Sequence, residues 1–261
     1  MKVLICWSGG KDSALALFLA KARPNIEIAG LLTTFSEEFD RVSMHGVRRD
    51  LLEAQAEALG LPVWKIFLPT PPRDASCALP SRGPCGPPDP LAPPPGHKGF
   101  VSFASNDVYE EKMIQAFERA RREGIEAIVF GDIFLEDLRA YRERLLATVG
   151  LAGIYPLWGR STRELMEEFL ERGFRAVVVC VDSARLDPSW PGRLLDRRFL
   201  AELPEGVDPC GENGEYHTFV FDGPGFSHPV ALSQGETVLR DPFCFRELTA
   251  PPRQVARGLP P

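Results

Sequence analysis

The sequence predicts an α/β protein, a doubly wound parallel sheet covered by helices on both faces, followed by a second, smaller α+β domain. Three observations predict it. Short apolar runs alternate with stretches of helical periodicity through residues 1–158. The first run ends in a glycine-rich loop that opens a helix. After Gly159 the texture changes to a β-branched strand and a long region rich in Pro and Gly.

Val3 to Cys6 is a short β-rich run stopped by Ser8-Gly9-Gly10, and Leu15, Leu19 and Ala22 then recur at helical spacing. Ile26 to Phe35 reads as a buried strand, Val47, Leu51, Ala54 and Ala58 as one face of the next helix, and Val63 to Leu68 as a third strand. Regular structure stops at Thr70: ten prolines fall between there and Gly99, which excludes helix and sheet interior. This insert, residues 70–100, is expected to be a solvated polyproline-rich excursion. Asp107 and Glu110 have capping-box spacing before a helix whose apolar face is Tyr109, Met113, Ala116, Phe117 and Ala120. The strand Ala127 to Phe130, a charged helix from about Phe134 to Thr148 and the apolar stretch Ile154 to Trp158 complete a first domain over 1–158.

The second domain is expected over 159–246. Ser161 and Glu164 form another capping-box pattern, Ala176 to Val181 is β-branched, and further strands are expected at Tyr216 to Phe221 and around Val238. Residues 247–261 are expected to be a loose tail.

Composition narrows the function. The chain of 261 residues carries 30 basic and 36 acidic side chains with no run of Lys and Arg, which disfavours a dedicated nucleic-acid binder. The apolar run after Met1 is too short for a signal-peptide core or a membrane span, so a cytoplasmic protein with no membrane partner is expected. Six scattered cysteines, without a C-x-x-C pair or zinc-finger histidines, are expected as reduced thiols.

The chemistry is concentrated at Ser8-Gly9-Gly10-Lys11-Asp12-Ser13. A helix N-terminus converges backbone N–H groups and the positive end of a dipole on any anion placed there. Gly9 and Gly10 permit close approach and positive φ, Lys11 adds a charge, and the Ser8 and Ser13 hydroxyls can donate to phosphate oxygens. Asp12 makes sense beside phosphates if it holds Mg²⁺. Ile5 and Asp12 occupy positions where a Walker A loop needs Gly and Ser or Thr, so that loop is excluded. Gly131-Asp132 ends the fourth strand, and Asp132 should face the same crevice as Ser8. On the helix beyond it, Glu136 and Arg139 lie three apart and can pair on one face. Adenine is expected near main-chain groups of Thr33 and Thr34. Cys210 to Thr218 packs acid, amide, imidazole and hydroxyl groups into one glycine-bearing turn, open to reading as a metal site or a substrate clamp.

The hexapeptide resembles the PP-loop of the N-type ATP pyrophosphatases, which implies a PP-loop adenine nucleotide hydrolase-like, Rossmann-like fold and a loop that grips pyrophosphate as leaving group. Together with Met44-His45-Gly46, the stretch GDIFLEDLRAYRE from Gly131, Tyr155 to Trp158 and GENGEYHTF from Gly211, it resembles the diphthine–ammonia ligase family over roughly residues 1 to 225. That resemblance implies an ATP-dependent amide ligase: a carboxylate is adenylated with loss of pyrophosphate, and ammonia or another amine then displaces AMP. The cofactors implied are ATP and Mg²⁺. The acceptor implied is diphthine on elongation factor 2 in an archaeal or eukaryotic setting, and another carboxylate in a bacterial one. Carried over by position, Ser8 to Ser13, with Gly131 and His45, would bind ATP. Lys11, Asp12, Asp132, Glu215 and His217 would be catalytic, with Asp132 joining Asp12 as support for the metal, and Glu136, Arg139, Glu212, Asn213, Gly214 and Thr218 would bind substrate. The chain departs from the family pattern in its insert and at His217, where an acid is expected; bacterial relatives carry this variant. A homodimer is left open.

Two other readings share the loop. A tRNA thiolase or lysidine-type adenylase is opposed by the acidic balance and by Cys6, buried in the first strand and poorly placed for thiolation. A nucleotide sensor without turnover is opposed by the retention of Lys11, Asp12 and Asp132.

Overall fold

A computed structural model describes residues 1–42, 46–69, 106–240 and 242–251. The first domain runs β1 (Lys2–Cys6), α1 (Lys11–Lys21), β2 (Glu27–Ser36), β3 (Arg41–Val42), α2 (Arg49–Leu59), β4 (Val63–Leu68), α3 (Asn106–Arg122), β5 (Ala127–Val129), α4 (Glu136–Val149) and β6 (Ala152–Ile154). The second adds α5 (Thr162–Glu171), β7 (Arg175–Asp182), α6 (Arg197–Glu202), β8 (Tyr216–Asp222), β9 (Ser233–Arg240) and β10 (Phe243–Thr249).

In the first sheet β4, β2, β1, β5 and β6 are parallel neighbours, and the two-residue β3 pairs antiparallel with the end of β2. The chain winds outward from β1 through β2 to β4, then returns to place β5 on the other side of β1. The winding therefore reverses between β1 and β5, where the crevice of a doubly wound sheet opens at the carboxyl ends of the strands.

Side-chain alternation assigns the two faces. Val3, Ile5 and Trp7 of the first strand and its extension, with Ala127 and Val129, point into a core shared with α1, α2 and the second domain. Leu4, Ile128 and Phe130 point the other way, onto Met113 and Phe117 of α3 and Leu145 and Leu146 of α4. The second sheet, β8-β7-β10-β9, is wholly antiparallel, and its core strand β7 belongs to the same apolar cluster as α1. Continuous packing of this kind holds β8 against the start of α1.

Three expectations need correction. Residues 247–249 are not tail but the end of β10, where Leu248 is buried and Glu247 accepts from Arg41 and Arg48 at 2.6–3.0 Å. The strand forms because β9, its neighbour in the chain, pairs with it on one side and the distant β7 on the other, and only the second ladder is a long-range effect that a Pro-bounded apolar pattern does not announce. Helix α3 starts at Asn106, so Asp107 lies in its first turn rather than at its cap. Arg139 pairs with Glu143 at 2.8 Å and stacks on Tyr155 and Trp158, so the pairing with Glu136 that the spacing allows is not made. At α5, by contrast, Ser161 Oγ accepts from Glu164 N as capping-box spacing predicts. The insert 70–100 and His45 lie outside the described residues.

Candidate active site

Trp7 N donates to Leu32 O at 2.8 Å, extending the ladder of β1 by one residue before the chain turns through Ser8, Gly9 and Gly10. Gly9 has φ +81°, and a Cβ there would stand 2.7 Å from Gln55 Oε1, so both conformation and space require glycine. Gly10 caps α1 in an extended conformation and has no side chain to accept from the first turn. Amides left bare at that turn are the anion-binding element of a helix start. One of them is already used, since Lys11 N donates to Thr218 Oγ1 at 3.0 Å. Ser13 Oγ donates to Gly10 O at 2.9 Å and lies 3.3 Å from Ser8 Oγ, so both hydroxyls line the turn.

The Lys11 side chain is buried. Its Nζ lies 2.7 Å from Asp12 Oδ2 and 5.2 Å from the centre of the Tyr216 ring. Burial is the largest single influence and opposes the ammonium charge, but Asp12, Tyr216 and Cys210 together outweigh it and hold the Lys11 pKa above the ordinary range. For Asp12 burial pushes the carboxyl upward while Lys11 pulls it down.

Asp132 follows Gly131 at the end of β5, and its Oδ2 comes within 3.0 Å of Arg142 Nε. That approach is an ion pair without hydrogen-bond alignment, so both buried atoms keep an unused valence. The Arg142 guanidinium lies 4.5 Å from the Phe130 ring centre, and its Nη1 is 3.6 Å from Cys6 Sγ. Burial raises the Asp132 carboxyl, Arg142 lowers it and Asp12 raises it further.

The third wall is a self-bonded loop of the second domain. Asp208 Oδ2 accepts from Cys210 N and Glu212 N at 2.8 and 3.1 Å, and Glu215 Oε1 accepts from Asp208 N and Asn213 Nδ2, both at 3.1 Å. Glu212 then reaches across to the first domain, where its Oε1 accepts from Ile133 N at 2.8 Å and anchors the loop beside Asp132. Burial, reinforced by Asp12, raises the Glu212 carboxyl to about 8. Burial and the nearby Lys11 lower His217 to about 4, which makes its ring neutral at pH 7.

These three walls enclose a cleft of about 210 Å³. The loop contributes Ser8, Gly10 and Lys11 to Ser13, β5 contributes Gly131 and Asp132, and the second domain contributes Glu212 to Gly214, His217 and Thr218. Several expected residues do not line it. Gly9 faces Gln55, and Thr33 lies within β2 with its hydroxyl on Trp7 O at 2.8 Å. Thr34 pairs with Ile66 of β4. Glu215 is buried in its own loop, Glu136 is exposed, and Arg139 stacks 4.6 Å from the ring centres of both Tyr155 and Trp158.

Cys6, Leu135, Leu138 and Arg142 line the cleft without having been assigned to it from sequence, and Tyr216 lines it within the segment Glu212 to Thr218 expected there. For Arg142 a signal existed. It stands four residues after Leu138 and three before Leu145, within the apolar stripe of α4, where a lone cation needs a buried partner.

Chemically, the cleft combines a helix start, one buried ammonium and two carboxylates, Asp12 and Asp132, on facing walls. Among the described residues no group of three or more His, Cys, Asp or Glu is placed to hold a metal ion. A Mg²⁺ ion needs only one or two carboxylates when phosphate oxygens and water supply the rest. No helix among the described residues is long and apolar enough to cross a membrane.

Comparison with known proteins finds one family at both ends of the chain. Residues 1–69 match the model of the diphthamide synthase N-terminal domain, and residues 161–245 match that of the diphthamide synthase C-terminal domain. The diphthine–ammonia ligases of Bos taurus and Homo sapiens are each 26% identical over 262 residues, an alignment covering 94% of this chain and 88% of theirs. That of Danio rerio is 26% identical over 263 residues, covering 94% of this chain and 91% of its own.

Proposed function

This chain belongs to the diphthamide synthase family and is an ATP-dependent ligase that forms a C–N bond, and from that premise we propose that it works through an acyl-adenylate. A carboxylate oxygen of the acceptor attacks the α phosphorus of ATP, the bond from that phosphorus to the bridging oxygen breaks, and pyrophosphate leaves. Ammonia then attacks the activated carbonyl carbon, the bond to the phosphate oxygen breaks, AMP departs and the surplus proton passes to solvent.

One observation carries the reading: the start of α1, the buried Lys11 and the segment Glu212 to Thr218 meet in a single cleft. Catalysis of phosphoryl chemistry is chiefly positioning and charge neutralisation. Lys11 and the loop amides would hold the β and γ phosphates, where negative charge accumulates as pyrophosphate departs. Asp12 and Asp132 would hold Mg²⁺, which the unused valence on Asp132 Oδ2 suits, and the ion would add further neutralisation there. Glu212, Asn213, Gly214 and Thr218 would orient the acceptor, with Glu212 protonated near neutral pH and able to donate to an anion. Arg139, stacked outside the cleft, is given no step.

The relatives are named for diphthine, so a diphthine-bearing protein is the first acceptor to test. A neutral His217 where the family pattern has an acid removes a negative charge beside the acceptor, which makes a differently charged carboxylate the second.

The test is product analysis. With ATP, Mg²⁺, ammonium and a diphthine-bearing protein or a pool of carboxylates, the chain should release AMP and pyrophosphate in equal amounts and exchange labelled pyrophosphate into ATP. Release of ADP and phosphate would overturn the adenylate reading.

A further inference from the structure

One fully buried polar side chain takes no part in the chemistry above. Gln55 sits in the middle of α2 among Leu51, Leu52, Ala56 and Ala58, with no exposed surface. An amide there is costly unless its hydrogen-bonding groups are matched. They are matched on three different elements. Gln55 Oε1 accepts from Trp7 Nε1 at 3.0 Å, and Gln55 Nε2 donates to Gly9 O at 3.0 Å and to Val220 O of β8 at 2.5 Å. Val220 N donates to the same Gly9 O at 2.9 Å.

The Gly9 carbonyl is thus held by two donors from outside the loop. In a trans peptide the carbonyl and the following N–H point in opposite directions across one plane. Holding Gly9 O toward α2 and β8 therefore turns the Gly10 N–H away from them, toward Ser8 Oγ and the cleft that Gly10 lines. The glycine freedom that lets this peptide adopt φ +81° would also let it flip.

We propose that Gln55 is a positioning residue for the phosphate loop: it locks the Gly9–Gly10 peptide so that the Gly10 N–H is presented to the pyrophosphate end of ATP, and it ties that orientation to β8 of the second domain. The proposal rests on the nucleotide reading of the cleft. Its readout is binding rather than ligation, so the two fail separately.

The experiment compares equilibrium binding of ATP and of AMP, which lacks the β and γ phosphates, to the full chain and its variants. Gln55→Met keeps the side-chain length and removes both donors. It should weaken ATP binding about tenfold while AMP binding stays within about twofold. Trp7→Phe removes only the bond to Oε1 and leaves both donors on Gln55. It should lower the melting temperature comparably and leave the ATP to AMP affinity ratio within about twofold of the parent. In Gln55→Glu a buried carboxyl regains one donor when protonated, so its ATP affinity, relative to the parent, should recover as the pH is lowered. This variant decides the matter should Gln55→Met not fold. Parallel losses for ATP and AMP, unchanged ATP binding in Gln55→Met, or a Gln55→Glu deficit independent of pH would overturn the proposal with the nucleotide site intact. Absence of ATP binding to the parent chain would overturn both.

Discussion

Gly131→Ala probes the contact that brings the ends of β1 and β5 together. A Cβ at this position would lie 2.9 Å from the Asp12 carbonyl carbon, 3.0 Å from Asp12 O and 3.0 Å from Ser13 N, all backbone atoms in the first turn of α1. Gly131 is not among the glycines with positive φ, so alanine meets no conformational barrier and the effect is purely steric. Ordinary contact begins near 3.4 Å, so the helix start must move about half an ångström away from Asp132. Overpacking of this kind costs about 1–3 kcal/mol of stability, or very roughly 2–10 °C in melting temperature for a chain of this size. The same displacement separates the loop amides and Asp12 from Asp132, and misplacement on this scale should lower kcat/KM about 10- to 100-fold. Gly60→Ala is the control. Gly60 caps α2 at φ +66° with nothing within 4 Å of a Cβ, so alanine costs about 1–2 kcal/mol through backbone strain alone and should leave kcat/KM unchanged. Thermal unfolding and steady-state AMP formation measure both. A Gly131→Ala enzyme within twofold of the parent, or a Gly60→Ala enzyme equally impaired, would refute the steric argument.

Three further expectations follow from the same geometry. Arg142→Met leaves the Asp132 carboxylate without its cation and should destabilise the protein by about 2 kcal/mol at pH 7, below the range for fully buried pairs because Arg142 keeps some exposure. Urea titrations should show the loss shrinking on acidification as Asp132 takes up a proton; a constant difference would contradict the pairing. Glu212 has a folded pKa of about 8 against an ordinary 4.5, so its contribution to stability is complete below 4.5 and lost as pH rises through 8. Glu212→Gln, which does not titrate, should therefore gain stability relative to the parent from roughly pH 5 to pH 9, and parallel pH profiles would sink that reading. Ser161→Ala removes the side-chain cap of α5 and should cost about 1 kcal/mol in chemical denaturation without altering turnover; an activity loss would mean that the cap does more than end a helix.

The parts of this protein that were legible in the sequence depend on neighbours within a turn or two. The strand at Val63–Leu68 and the Ser161 cap follow from periodicity and capping chemistry that need no distant partner. The strand-turn-helix of Ser8 to Ser13 is local in the same way, because two glycines stand between the end of β1 and the start of α1. Tertiary structure decided what had no local cause. Strand β10 joins its sheet through the distant β7, and Glu212 became a wall of the cleft by accepting from Ile133 N, 79 positions away. Gln55, a lone polar residue in an apolar helix face, acquired its partners only when Trp7, Gly9 and Val220 converged on it. Periodicity is written by the backbone geometry of each segment, whereas burial and charge pairing depend on which segments share a core, and that is set by the packing of the whole chain.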